Sequence, residues 1–146
     1  MFREFDYENK PVVDIVNEII NDSINKGASD IHFDPDEKGI NVRIRIDGEL
    51  HDYCRVPESV KKNLATRVKI ISGMNITESR LPQDGAIKHS DNNKQLDMRV
   101  SSLPTIHGEK IVIRILDYSM SLNGLESIGL TKNNLEKINE LIKKPN

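Results

Sequence analysis

Tryptophan is absent from this chain, Phe and Tyr together make up only 4% of it, and there is a single cysteine. The scarcity of rings excludes a base-stacking platform, in which aromatics interleave with basic residues. One cysteine, Cys54, cannot close an internal disulfide, and beside Tyr53 it reads as packing. No apolar run approaches the roughly 20 residues that span a bilayer, and MFREFDYENK has no apolar signal core, so a cytoplasmic protein is expected. No excess of either charge is present: 21 Lys and Arg face 23 Asp and Glu, a net charge of -2. No overall field therefore draws the protein onto nucleic acid or anionic lipid, and a site through Lys61, Lys62, Lys69 and Arg67 is disfavoured. His32, His51, His89 and His107 lack the tight spacing of a zinc site, and no Ser-His-Asp or Cys-His order has supporting context.

What is present is the composition of one well-solvated domain, 36% apolar and 30% charged over 146 residues. The first ten residues are polar and aperiodic and read as a tail. Pro11 suits a first helical turn, and Val12, Ile15, Val16, Ile19, Ile20 and Ile24 recur on one helical face until Gly27. Strand alternation follows in SDIHF and INVRIRI, and Asp47-Gly48 marks a tight hairpin into ELHDYCRV. Pro57 opens a second helix, with Val60, Leu64, Ala65, Val68 and Ile71 as its buried stripe and Lys61, Lys62 and Lys69 on a solvated face, ending near Gly73. NITESRLPQDG reads as a turn-rich connection, and two or three strands are expected after it, near 85–89, 95–102 and 109–117. SMSLNGLESIGL is a linker, and Thr131 caps a helix with Leu135, Ile138, Leu141 and Ile142 on one face. The fold class is α+β: a small, mostly antiparallel sheet packed with two helices, followed by a C-terminal linker and helix.

Two strand-like stretches, LDMRV and KIVIRIL, each carry one arginine among apolar residues. Around a hairpin at LPTIHGE, a register that pairs odd with even positions brings Arg99 and Arg114 onto the face of Asp97, while Arg45 lies in a similar strand two residues before a turn. Parity leaves two readings open. Either Asp97 neutralises one arginine while the others lie flat on the sheet with packed stems, or the guanidinium forks wait for an anion.

The stretches GASDIHFDP, VRIRIDGEL, RVKIISGMNITESRLPQDG and DMRVSSLPTIHGEKIVIRILD, in this order over residues 11–118, resemble the ATPases of type II secretion, type IV pilus assembly and DNA-uptake pseudopili. The resemblance implies an N-terminal PAS-like domain over 11–118, with 1–10 a tail and 119–146 leading into a RecA-like motor that assembles as a homo-hexamer. No GxxxxGK[ST] occurs, so these residues alone are expected to lack hydrolysis and any catalytic residue, while ATP and Mg2+ bind the longer protein. It further implies that Arg45, Arg99 and Arg114 contact nucleotide phosphates, in motifs similar to VRxRIDG, DxRVSxxP and GExxVxRxLD. The resemblance also implies neighbouring motor domains and an inner-membrane platform protein as partners, with the machine expected to hold the domain at the inner face of the cell membrane.

Asp97, Glu109, Arg80 and Asp84 are supporting or interface candidates. Glu109 is expected to pair across its hairpin, Arg80 to sit in a loop or interface, and Asp84 to form an Asp-Gly turn. Asp30 and His32 read as a satisfied surface pair or a subunit contact. Ala86 departs from the family, which commonly has Arg there, so position 86 carries no role. The alternative of another class is a free-standing PAS-like module sensing a small ligand, which needs a roomy core pocket.

Overall fold

The computed structural model describes residues 3–91 and 94–117. In chain order it runs α1 (Val12–Asn25), β1 (Asp30–Asp36), β2 (Gly39–Ile46), β3 (Glu49–Pro57), α2 (Glu58–Ser72), β4 (Gln83–Asp91), β5 (Lys94–Thr105) and β6 (Gly108–Asp117). The six strands form one antiparallel sheet in the order β3-β2-β1-β6-β5-β4. Both helices cover one face of it, as the α+β reading expects. The C-terminal linker and helix expected over 119–146 lie outside the described residues.

Alternation in the strands sorts the side chains. Ile31, Phe33, Val42, Ile44, Met98, Val100, Ile111 and Ile113 point into the core and are at most 2% exposed. They meet Ile15, Val16 and Ile19 of α1 and Leu64 and Val68 of α2, all fully buried. Asp14 in the first turn of α1 suits the positive end of the helix dipole. At the far end of α2, Gly73 takes the left-handed conformation (φ 76°), which lets the Met74 amide bond back to the Lys69 carbonyl. The Asp47-Gly48 turn forms as expected, both residues at positive φ.

Three local expectations change. Residues 3–10 are not a loose tail: Phe5 and Tyr7 pack on the core, the Arg3 amide donates to the Tyr53 carbonyl at 2.6 Å, and the Arg3 guanidinium pairs with Asp22 and Glu18. Two of the few rings in the chain lie in this segment, and burying them offsets the cost of ordering it. Asp84-Gly85 is not a turn but part of β4, opposite Ser101 and Val100. Gly85 is needed there because a Cβ would stand 2.4 Å from the Ser72 carbonyl oxygen, so the glycine lets β4 approach the end of α2. Lys69 is not on a solvated face: it is 3% exposed, covered by the connection before β4 and by the β5–β6 hairpin. Lys61 is likewise engaged, donating to the Asp36 carbonyl at 2.8 Å.

Candidate functional site

The face of the sheet away from the helices carries the charge. Pairing places Ala86 opposite Arg99, Arg99 opposite Arg114, Arg114 opposite Asp30, Asp30 opposite Arg45 and Arg45 opposite Leu50. One transverse row thus crosses all six strands and contains the three arginines singled out from the sequence. The level of the row is held by backbone bonds at the start of β1, where the Ser29 amide donates to the Arg45 carbonyl at 2.8 Å and the Ser29 carbonyl accepts from the Ile115 amide at 2.9 Å.

Asp30 is the pivot of this row. Its side chain is 9% exposed, and its two carboxylate oxygens accept separately, Oδ2 from Arg45 Nε and Oδ1 from Arg114 Nε, each at 3.2 Å. A buried carboxylate requires such partners. The three arginines are not equivalent. Arg45 is one-third exposed and also donates through Nη1 to the Gly48 carbonyl at 2.9 Å, which folds it back on the hairpin turn. Arg114 is two-thirds exposed and engages Asp30 through Nε alone among the described residues. Arg99 is equally exposed, with Asp97 Oδ2 3.4 Å from its Nη2. Arg99 and Arg114 border a surface depression of about 570 Å³ that is also lined by Asp84, Ala86, Ser101 and Val112. Ala86 leaves open the place a long side chain would fill. Arg45 lies beyond Asp30, outside this depression.

The rest of the polar face is paired in a regular way. The acids of the central strand β1 meet cations on both sides: Asp34 pairs with Arg43 at 2.6 Å and Lys110 at 3.4 Å, and Asp36 pairs with Arg55 at 2.6 Å. Burial pushes the Asp34 carboxyl up, but the bond from Arg43 and the charge of Lys110 more than offset it, and the carboxyl ends below its usual range. The Arg55 bond holds Asp36 low. His32 sits between Asp30 and Asp34 on the same face, its Nε2 3.9 Å from Asp30 Oδ2, and neither ring nitrogen has a hydrogen-bond partner among the described residues. Burial pulls the imidazole below its ordinary value despite the two acids. The expected satisfied pair of Asp30 and His32 is therefore replaced by an acid engaged with two arginines and a histidine set apart.

The remaining candidates separate. Asp97 joins Arg99 on the open face, and Asp84 lines the depression two residues from Ala86. Arg80 is exposed in the connection before β4, where its amide donates to Glu78 Oε1, and is not brought to the row. Glu109 does not pair across its hairpin, because its opposite residue is Pro104; it meets Lys69 Nζ at 2.6 Å, and the same ammonium donates to the Glu78 carbonyl at 2.6 Å. Burial raises the Cys54 thiol to about 12, which leaves it inert as a nucleophile. The sequence reading missed Asp30 as a support. Its signal was the two-residue loop Glu37–Lys38, which fixes Asp30 opposite Arg45.

Comparison with known proteins gives this face a context. The chain is 41% identical over 139 residues to the type IV pilus assembly ATPase PilB of Pseudomonas aeruginosa, and 36% identical over 138 residues to the type II secretion system ATPase E of Vibrio cholerae. Each match takes in 94% of the chain but only about a quarter of the relative, 25% and 27% respectively. Among solved structures, the ATPase DotB of Legionella pneumophila shares the fold, with a TM-score of 0.54 over 74% of this chain and 30% of that one at 15% identity. The family model described as type II/IV secretion system protein matches residues 6–146, nearly the whole chain, and the chain belongs to that family.

Proposed function

We propose that this domain closes over ATP bound to a RecA-like motor and supplies Arg45, Arg99 and Arg114 to its phosphates, within a homo-hexamer that drives type II secretion, type IV pilus or competence pseudopilus assembly. The observation that carries the reading is the transverse row, in which two arginines, both two-thirds exposed, flank one depression on the face the helices leave open. Guanidinium is suited to the task, being always charged and presenting a planar fork to phosphate oxygens. ATP and Mg2+ are held by the motor; the domain contributes positive charge where negative charge develops during phosphoryl transfer. Its partners in this reading are the motor domains of the same and neighbouring chains and an inner-membrane platform protein, which keeps the cytoplasmic assembly at the membrane. Among the described residues no helix is long and apolar enough to cross a membrane. The continuous apolar cluster between sheet and helices, which includes Ile19, Phe33, Ile44 and Leu64, supports this role over a ligand-sensing module, which needs an internal cavity.

The test is turnover in the full-length protein that contains this domain together with its motor. Arg45→Ala, Arg99→Ala and Arg114→Ala are each expected to lower kcat by about tenfold or more while the domain stays folded at the assay temperature, in line with the loss of a transition-state donor. Near-normal turnover in all three variants overturns the proposal.

A further inference from the structure

We infer that Asp30 is a positioning residue for Arg45 and Arg114, acting by occupying their Nε atoms and leaving Nη donors for a phosphate. The inference rests on the proposed function and deepens it. A guanidinium offers five N–H donors, one on Nε and four on the terminal nitrogens. A carboxylate that takes both terminal nitrogens in the usual forked pair would occupy the edge a phosphate needs. Asp30 does otherwise. Each oxygen takes one Nε, of Arg45 on one neighbouring strand and of Arg114 on the other, at the same 3.2 Å. This is possible because β1 lies between β2 and β6 and the register sets Asp30 opposite both arginines.

The ion pair therefore fixes the root of each guanidinium without consuming its far edge. Arg45 retains Nη2 after bonding Gly48, and Arg114 retains both terminal nitrogens among the described residues. Burial of the acid to 9% exposure keeps water from replacing either arginine, so the guanidinium is oriented before any anion arrives. Among the described residues Arg99 lacks such an anchor: its contact there is Asp97 on its own strand, made through Nη2.

Asp34 provides an internal control. It lies on the same strand and face and also joins two cations, Arg43 and Lys110, but neither belongs to the row. In the full-length protein, Asp30→Asn keeps the shape and removes the charge; it is expected to lower kcat about tenfold with KM for ATP within twofold, while Asp34→Asn leaves kcat within twofold. Asp30→Glu keeps the charge but moves the carboxylate by one methylene, and is expected to reproduce the loss in kcat with native melting. In an Arg45→Ala/Arg114→Ala background, adding Asp30→Asn is expected to change kcat by less than twofold, since the groups it orients are gone.

Normal kcat in Asp30→Asn, or in Asp30→Glu should the first variant fail to fold, overturns the inference if Arg45→Ala or Arg114→Ala still loses activity, and leaves the proposed function standing. An equal loss in Asp34→Asn also overturns it, by showing that any carboxylate of β1 serves. Normal turnover in all three arginine variants overturns the proposed function and this inference together.

Discussion

Two systems of opposite charges sit on the two sides of the sheet, and they are built differently. On the helix side, Lys69 and Glu109 are closed: the lysine side chain is 4% exposed, the glutamate side chain 9%, and the lysine bonds both Glu109 and the Glu78 carbonyl. On the open side, Asp30 is equally buried, but the arginines it holds are one-third and two-thirds exposed. The first system ties the β5–β6 hairpin and the connection before β4 to α2. The second fixes the guanidinium groups at one point and leaves donors over. A charge with every partner inside the fold serves the fold; a charge anchored at one atom and open at the others is available for a ligand.

The largest expected effect breaks the closed system. Glu109→Gln leaves the Lys69 ammonium buried without its counter-charge, and should cost about 3–5 kcal/mol of unfolding free energy. Lys69→Met combined with Glu109→Leu removes both charges and should recover most of that loss, because an apolar pair of similar volume avoids the desolvation cost. Urea titration of the two variants and the unaltered protein measures it. A cost below about 1 kcal/mol for Glu109→Gln, the range of solvent-exposed pairs, would place Lys69 and Glu109 in the same class as surface ion pairs.

The two systems were unequally visible in the sequence. Local rules found Asp47-Gly48, the stripes of both helices and the alternation in INVRIRI, since each depends on residues a few positions apart. The face of Arg99 and Arg114 followed from one hairpin. That Asp30 stands between Arg45 and Arg114 depends on β1 pairing with β6, more than 80 residues away, and local periodicity carries no information about that. The assignment of Lys69 to a solvated face failed for the same reason: helical spacing put it beside the stripe, and the segments that cover it come later in the chain. Asp84-Gly85 misled because the same dipeptide suits both a turn and a strand that must approach a helix end, and only the packing against Ser72 distinguishes them.

A smaller effect concerns His32, on the open side but without a hydrogen-bond partner for either ring nitrogen among the described residues. Facing it are Asp30 and Asp34 on its own strand, Arg43 and Arg45 on β2, and Lys110 on β6. Burial holds its folded-state pKa below 6.5, so in the window just under 6.5 the unfolded chain binds a proton that the folded one refuses. Stability is then highest above this window and falls as pH drops through it, with a slope for one proton of at most about 1.4 kcal/mol per pH unit. His32→Gln should flatten the fall between pH 6.5 and the carboxylate range, while the later loss from protonating Asp34 and Asp36 remains. An unchanged profile in that variant would mean that the imidazole titrates alike in both states.

The smallest effect sharpens the contrast within the row itself. Arg99 and Arg114 are directly opposite across β5 and β6, and like charges in that position repel. Arg114 has Asp30 to offset the repulsion, whereas among the described residues Arg99 has only the 3.4 Å approach to Asp97 at a site two-thirds exposed. Removing Arg99 therefore deletes a repulsion and a weak attraction together, and Arg99→Ala should change stability by no more than about 0.5 kcal/mol. Arg114→Ala gives up a charge-assisted bond to a buried acid and should cost more, on the order of 1.5 kcal/mol. Raising salt should shrink the effect of the Arg99 change and leave most of that of Arg114, because screening acts on exposed charges and much less on buried pairs. Equal costs for the two would mean that Asp30 anchors Arg114 no more firmly than Asp97 anchors Arg99.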